Sequence, residues 1–395
     1  MLRRNAPIFL IVIMMASPAW AQEVQSLEHD RNVIFNSLVQ VDADTYALAY
    51  SGDGSTAFKT FTISADGSTI TQVQSVAHDP NEGEFYSLVQ VDGDTYALAY
   101  MSNDGGGAIR GRVSFSGVIK TFTIPADGST ITQVQSLEHD AVIGEYNSLT
   151  QVDADTYALA YTGDNNDGFI KTFTIPADGS TITQVQSLEH DTSFGRDNSL
   201  VQVDADTYAL AYTGAGSDGF IKTFTISADG STITQVQTLE HDTLFGRNNS
   251  LVQVDADTYA LAYTGDGVDG FIKTFTIPAD GSTITQVQSL EHDTVSGQYN
   301  SLTQVDTDTY ALAYAGDGDD GFLKTFTIPA DGSTITQVES LEHDTLLGRY
   351  NSLVQVDADT YALAYNGDAN DGLIKTFTIH AGGMLPVTLE SFSVD

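Results

Sequence analysis

Cysteine is absent from the 395 residues. That excludes a disulfide framework and a lipid-anchored N-terminal cysteine, so packing alone must hold the fold. Basic residues are few: 15 Lys and Arg stand against 53 Asp and Glu, a formal net charge of −38. Such a balance disfavours nucleic acid and anionic membranes as partners, because phosphate recognition needs basic patches. It suits a solvated acidic surface and is compatible with weak cation binding. The single tryptophan is Trp20, in a segment expected to be removed, and a mature chain without tryptophan weakens a lectin reading. No apolar run reaches the ~20 residues that a membrane-spanning helix requires. Helical periodicity and helix caps are missing throughout, so the chain reads as β.

What is present starts with a leader. Arg3 and Arg4, the apolar run from Ile8 to Ala16, and Ala19-Trp20-Ala21 have the form of a secretory signal peptide with an A-x-A cleavage site. The expected divisions are 1–21 as signal peptide, 22–380 as one folded domain and 381–395 as a tail. A secreted, extracellular protein is expected, with the periplasm or cell surface as variants.

The body is a repeat. His139, His190, His241, His292 and His343 are spaced by 51 residues, with His29 and His78 continuing the series upstream at 61 and 49. A fixed period of this size points to stacked units, each unable to bury its own hydrophobic face alone. Within 198–242 four strand-like runs appear: SLVQV, TYALAY, GFIKTFTI and STITQVQTLEH. They are separated by Asp- and Gly-rich turns, among them an Asp-Gly hairpin signal. In TYALAY, alternation puts Tyr208, Leu210 and Tyr212 on one face and Ala209 and Ala211 on the other. A bulky face can then meet a small one when sheets stack.

The count of segments settles the topology. The fourth-strand phrase occurs seven times, beginning with the orphan QEVQSLEHD at 22–30, and the other three strands also occur seven times, ending near 379. Pairing the two chain ends completes a seventh sheet and leaves no mismatched edge. The sequence thereby resembles the seven-bladed β-propeller superfamily over 22–380: an all-β ring of four-stranded antiparallel blades. The S-A-D-G-S-T turns at Ser64–Thr69 and Ser227–Thr232 are similar to degenerate Asp-boxes of sialidase-type propellers. The tail LPVTLESF, from Leu385 to Phe392, is similar to the segment that precedes type IX sorting domains in Bacteroidetes.

In such a ring the turns joining strands one-to-two and three-to-four lie on one face and are nearly identical in every copy. The other face carries the differing loops, such as GDNNDG and GAGSDG, or TSFGRDN and TLFGRNN. Loops on a rigid scaffold carry specificity. Two residues before the serine of each innermost strand stand Phe35, Phe85, Tyr146, Asp197, Asn248, Tyr299 and Tyr350. With Glu84, Glu145, Arg196, Arg247, Gln298 and Arg349 just before them where the loops align, these form a candidate collar for stacking on and hydrogen-bonding a sugar or peptide. The enlarged loop of the second blade adds Arg110 and Arg112. The repeated histidines read as structural hydrogen-bonding groups at a strand corner, and the seven lysines as cross-strand ion pairs or snorkelling side chains. Acidic loops leave weak Ca²⁺ binding open, but none matches a calcium-loop pattern, and no cofactor is expected.

No asymmetric catalytic constellation stands out. The leading expectation is a monomeric, non-enzymatic propeller that binds a glycan or extracellular protein on its variable face. The alternatives are a hydrolase or lyase of extracellular polysaccharide, and a purely structural surface or adhesin module.

Overall fold

A computed structural model of the chain describes residues 21–52, 55–79, 83–103 and 115–380. The leader up to Trp20, the blade-two loop with Arg110 and Arg112, and the tail from 381 lie outside them. The described residues form seven four-stranded antiparallel sheets, with five short 3-10 turns as the only helical elements among them. Blades I to VI run in chain order. Blade VII takes its inner three strands from 349–379 and its outer strand from Ala21–Asp30, in antiparallel register with Ala21 opposite Ile379 and Leu27 opposite Ile374. The orphan phrase closes the ring.

Sequence alternation explains the seams. In blade IV, Tyr208, Leu210, Tyr212 and Phe224 pack into Ala158, Ala160 and Ile170 of blade III, and the same bulky-into-small contact recurs at each seam. All fourteen tyrosines of these strands have no exposed surface. Each buried aromatic is worth about 4–6 kcal/mol gross, from 150–250 Å² at roughly 25 cal/mol/Å².

Polar groups then lock the seams. Tyr212 Oη donates to Asp191 Oδ2 at 2.8 Å, and Lys222 Nζ lies 3.6 Å from the same oxygen while also donating to the His190 carbonyl. Asp191 belongs to blade III; Tyr212 and Lys222 belong to blade IV. The lysine therefore reaches across a seam to the neighbouring sheet, where sequence reasoning placed it within its own sheet or snorkelling outward. Six of the seven lysines are buried. The closing strand takes part, since Asp30 accepts from Lys59 at 3.0 Å across the VII–I seam.

The histidines depart from expectation as well. Both ring nitrogens of His190 and its six equivalents are buried and find no hydrogen-bond partner. The ring packs edge-on against Tyr212 at 4.9 Å and Phe224 at 6.0 Å. A Cβ on Gly168 would come within 2.5 Å of the same imidazole, and one on Gly195 within 2.3 Å of Gly168 Cα. The histidine fills space where two backbones cross, and the aspartate beside it makes the hydrogen bonds. Burial lowers each of the seven histidines from 6.5 to about 3, with the neighbouring lysine adding to the effect where it is charged.

On the uniform face the S-A-D-G-S-T turn is held by its own side chains. The Asp66 carboxylate accepts from the Ser64 and Ser68 hydroxyls and the Ser68 amide, which lowers it to about 2. Gly67 sits there at φ +69°, and its carbonyl accepts from Thr376 Oγ1 of blade VII. Left-handed backbone there is what glycine supplies without steric cost.

Candidate functional site

The collar forms where each innermost strand begins. First strands of adjacent blades pack side by side round the axis, joined by a ring of hydrogen bonds: the Ser148 hydroxyl accepts from the Leu200 amide at 3.0 Å, and all six other seams repeat the bond. Just before that serine the pairing with strand two slips, for example between Arg196 and Ser199. This is a bulge, and bulges re-aim side chains. At its centre all seven collar residues take left-handed backbone, with φ from 50° at Asn248 to 58° at Phe85.

Asparagine and aspartate tolerate that conformation, whereas for other residues it costs about 1–2 kcal/mol. Five of the seven positions hold Phe or Tyr regardless. The bulge is braced from below by the next residue along the strand. Asn198 Nδ2 donates to the Tyr146 carbonyl at 3.1 Å and the Gly195 carbonyl at 3.2 Å, and Asn249, Asn300 and Asn351 repeat the pattern one blade on each time.

The collar surrounds a cavity of about 590 Å³ at the axial mouth. Phe35, Phe85, Tyr146, Asp197, Asn248, Tyr299 and Tyr350 all line it, together with Arg196, Arg247 and Gln298. Of the expected residues, Glu84, Glu145 and Arg349 are not in its wall. The Arg349 guanidinium pairs with Asp319 on the loop of the preceding blade. Glu145 is half-buried, and burial raises its carboxyl above the usual range. Arg110 and Arg112 fall outside the described residues. Gln298 lies in the wall as its place beside the collar suggests, whereas sequence reasoning missed Thr264, whose blade position is filled differently in most other copies and carries no motif. It also missed the bracing asparagines, whose repetition gave the only signal.

The aromatic residues form an arc. Neighbouring ring centroids are 4.6 Å apart for Tyr299–Tyr350, 4.6 Å for Tyr350–Phe35, 4.4 Å for Phe35–Phe85 and 4.2 Å for Phe85–Tyr146, with tilts between 40° and 56°. At that spacing neighbouring rings are in van der Waals contact at a tilt, and each ring inside the arc has a neighbour on both sides.

The arc ends at Tyr146 and Tyr299, and the polar pair Asp197 and Asn248 fills the break between them. Thr213 Oγ1 donates to Asp197 Oδ2 at 3.0 Å, and Thr264 Oγ1 to Asn248 Oδ1 at 3.1 Å. Burial pushes the Asp197 carboxyl above the usual carboxylate range, with Thr213 and the guanidinium groups of Arg247 and Arg196 opposing. Arg196 lies over Tyr146 at 5.7 Å and Phe194 at 4.8 Å, and donates to Asn166 Oδ1 at 2.5 Å. Arg247 lies over Phe245 at 4.5 Å and donates to Ser217 Oγ at 3.0 Å. The mouth is thus two-sided, with aromatic contact round five blades and an acid, an amide and two guanidiniums at blades IV and V.

Among the described residues, no group of three or more His, Asp or Glu side chains is placed to hold a metal ion. No described helix is long and apolar enough to cross a membrane.

No protein-family model matches the sequence, and no curated protein does. Solved structures match by fold. A periplasmic gluconolactonase of Pseudomonas aeruginosa superposes with a TM-score of 0.59 at 15% identity, covering 76% of this chain and 82% of that one. A structure described as a 6-phosphogluconolactonase of Bacteroides fragilis gives 0.59 at 12% identity, covering 86% and 93%. Sqt1 of Saccharomyces cerevisiae gives 0.52 at 10% identity, covering 88% and 99%. At these identities the likeness speaks to fold alone. By its architecture the chain is a seven-bladed β-propeller, similar in fold to gluconolactonase-type propellers.

Proposed function

We propose that the axial mouth of the variable face is a carbohydrate-binding site and that the protein works outside the cytoplasm as a binding propeller. One observation carries this reading: five bulky rings are held in left-handed backbone at the mouth, although Asp197 and Asn248 show that cheaper residues fit the same bulge. Strained positions of this kind cluster at functional sites. Ring faces at the ends of the arc, with adjoining amide, carboxyl and guanidinium groups, provide the stacking surface and hydrogen-bonding partners that a sugar needs. A glycan array, followed by calorimetry on the best binder, tests it. Replacing Tyr146 and Tyr299 together by Asn, which blade V already carries, should weaken binding at least tenfold. Unchanged binding by that double variant would show that the mouth is not the site.

Hydrolysis is the second reading. The fold likeness to the two lactonase structures favours it, as does a cavity acid, Asp197, raised by burial beside two guanidiniums, an environment suited to acid–base work. Turnover of a sugar lactone that Asp197→Asn abolishes would favour this reading over simple binding.

A further inference from the structure

We infer that the break in the aromatic arc is a subsite for a sugar bearing a carboxylate, held by Arg196 and Arg247 between the end rings Tyr146 and Tyr299. The inference rests on the mouth being the ligand site and narrows it to one sector and one ligand class. Positive charge is scarce in this acidic chain, and nearly all of it is already used. The seven lysines hold seams by donating to a histidine carbonyl on the outer strand of the preceding blade. Among the described arginines, Arg31 pairs with Glu28 at 4.0 Å and Arg349 pairs with Asp319.

Arg196 and Arg247 alone in that set form no ion pair with a carboxylate. They stand on consecutive blades in the wall of one cavity, and the Nε–H of Arg196 is buried without an acceptor. Both head groups are fixed in place by the neutral partners Asn166 and Ser217 and by aromatic faces. Preorganised guanidiniums of this kind match the planar geometry of a carboxylate.

Charge counting narrows the ligand further. Two guanidiniums stand against two carboxyls, Asp197 and, beside Arg196, Glu145, both raised by burial, so little positive charge is left over and a monoanion is the most it can balance. A dianion such as a phosphate ester would bring more negative charge than this sector, with Asp197 and Glu145, can balance. The end rings supply the stacking surface for the apolar face of a pyranose, and Asn248 and Gln298 supply amides for its hydroxyls. At this sector each end ring has a collar ring on one side alone, with Arg196 over Tyr146 at 5.7 Å.

The experiment is calorimetry with the full secreted chain, using glucuronate, gluconate and glucose 6-phosphate as anionic probes and glucose as the neutral control. Glucuronate should bind at least tenfold more tightly than glucose, and its affinity should fall as salt is raised. Arg196→Gln and Arg247→Gln should each reduce glucuronate affinity roughly tenfold, the scale of one hydrogen bond to a charged group, and reduce glucose affinity by clearly less. Because each arginine also braces a loop of the preceding blade, melting curves must show that both variants fold as the wild type does. Gluconate binding equal to glucuronate would overturn the stacking half of the inference, and tighter binding of glucose 6-phosphate would overturn the charge argument. Equal affinity for glucose and glucuronate would sink the acidic-sugar assignment and leave the carbohydrate site standing. No binding of any sugar, in wild type and in the Tyr146/Tyr299 double variant alike, would remove both.

Discussion

The blade seams and the axial mouth are built from the same repeat and obey opposite rules. At every seam the chain spends the same residues: a Tyr-Leu-Tyr face against two alanines, with a lysine and a tyrosine reaching the previous blade. At the mouth, equivalent positions hold Phe, Tyr, Asp and Asn. Seam residues are packed tightly and their charges are paired, so a change there leaves a cavity or an unpaired charge. The seven mouth residues share one unfavourable backbone conformation and little else. Uniformity marks where packing dictates the residue. The costly variety at the mouth marks a place where packing does not.

The strongest way to break the comparison is to remove a seam outright. Deleting Gln22–Asp30 strips blade VII of its outer strand and the VII–I seam of its aspartate. We expect a loss of cooperative folding, or a fall in Tm of more than ~10 °C, although 1 kcal/mol shifts a domain of this size by only about 1–2 °C. An unchanged calorimetric melt would show that the ring does not depend on this closure.

Acid attacks all seams together. The seven seam histidines sit at about 3 in the fold and near 6.5 when unfolded. Between those values the unfolded chain binds more protons, so their contribution is fully present above pH 6.5 and is lost as pH falls toward 3. Each proton contributes up to about 1.36 kcal/mol per pH unit, and seven act in the same direction. Tm should be level from pH 8 to 7 and fall steeply below pH 6. A flat profile from pH 7 to 4.5 would mean that the histidines titrate freely.

A matched pair of single substitutions sharpens the contrast at smaller scale. Lys222→Met leaves Asp191 half-buried without its cation and should cost about 3 kcal/mol, the lower end for breaking a buried pair. Tyr299→Asn removes one ring contact at the mouth and relieves left-handed strain of about 1–2 kcal/mol. It should leave stability within about 1 kcal/mol of wild type or raise it. Urea melts of the two variants measure the difference, and equal losses would erase the distinction between the two regions.

The fold was almost fully readable because its signals are local and repeated. The 51-residue spacing, the alternation in TYALAY and the excess fourth-strand phrase at 22–30 each report geometry that a few neighbouring residues enforce. The collar was readable too, since counting back two from each serine found all seven positions. Two roles were not. The SLEHD histidine looked like a hydrogen-bonding corner, yet its role depends on Gly168 and Gly195, separated from it in sequence and brought together only by the crossing of two loops. Arg349 looked equivalent to Arg196 and Arg247, and a single aspartate on another loop, Asp319, draws it away from the cavity.

By itself, then, the sequence determined the number of blades, the strand order and the closing of the ring, because pairing and burial act through periodic patterns written along the chain. The tertiary structure alone decided which lysines cross seams, which rings end the arc and which two guanidiniums form no ion pair with a carboxylate. Those properties depend on distances between blades, and side chains that look alike along the repeat become different once each has its own neighbours.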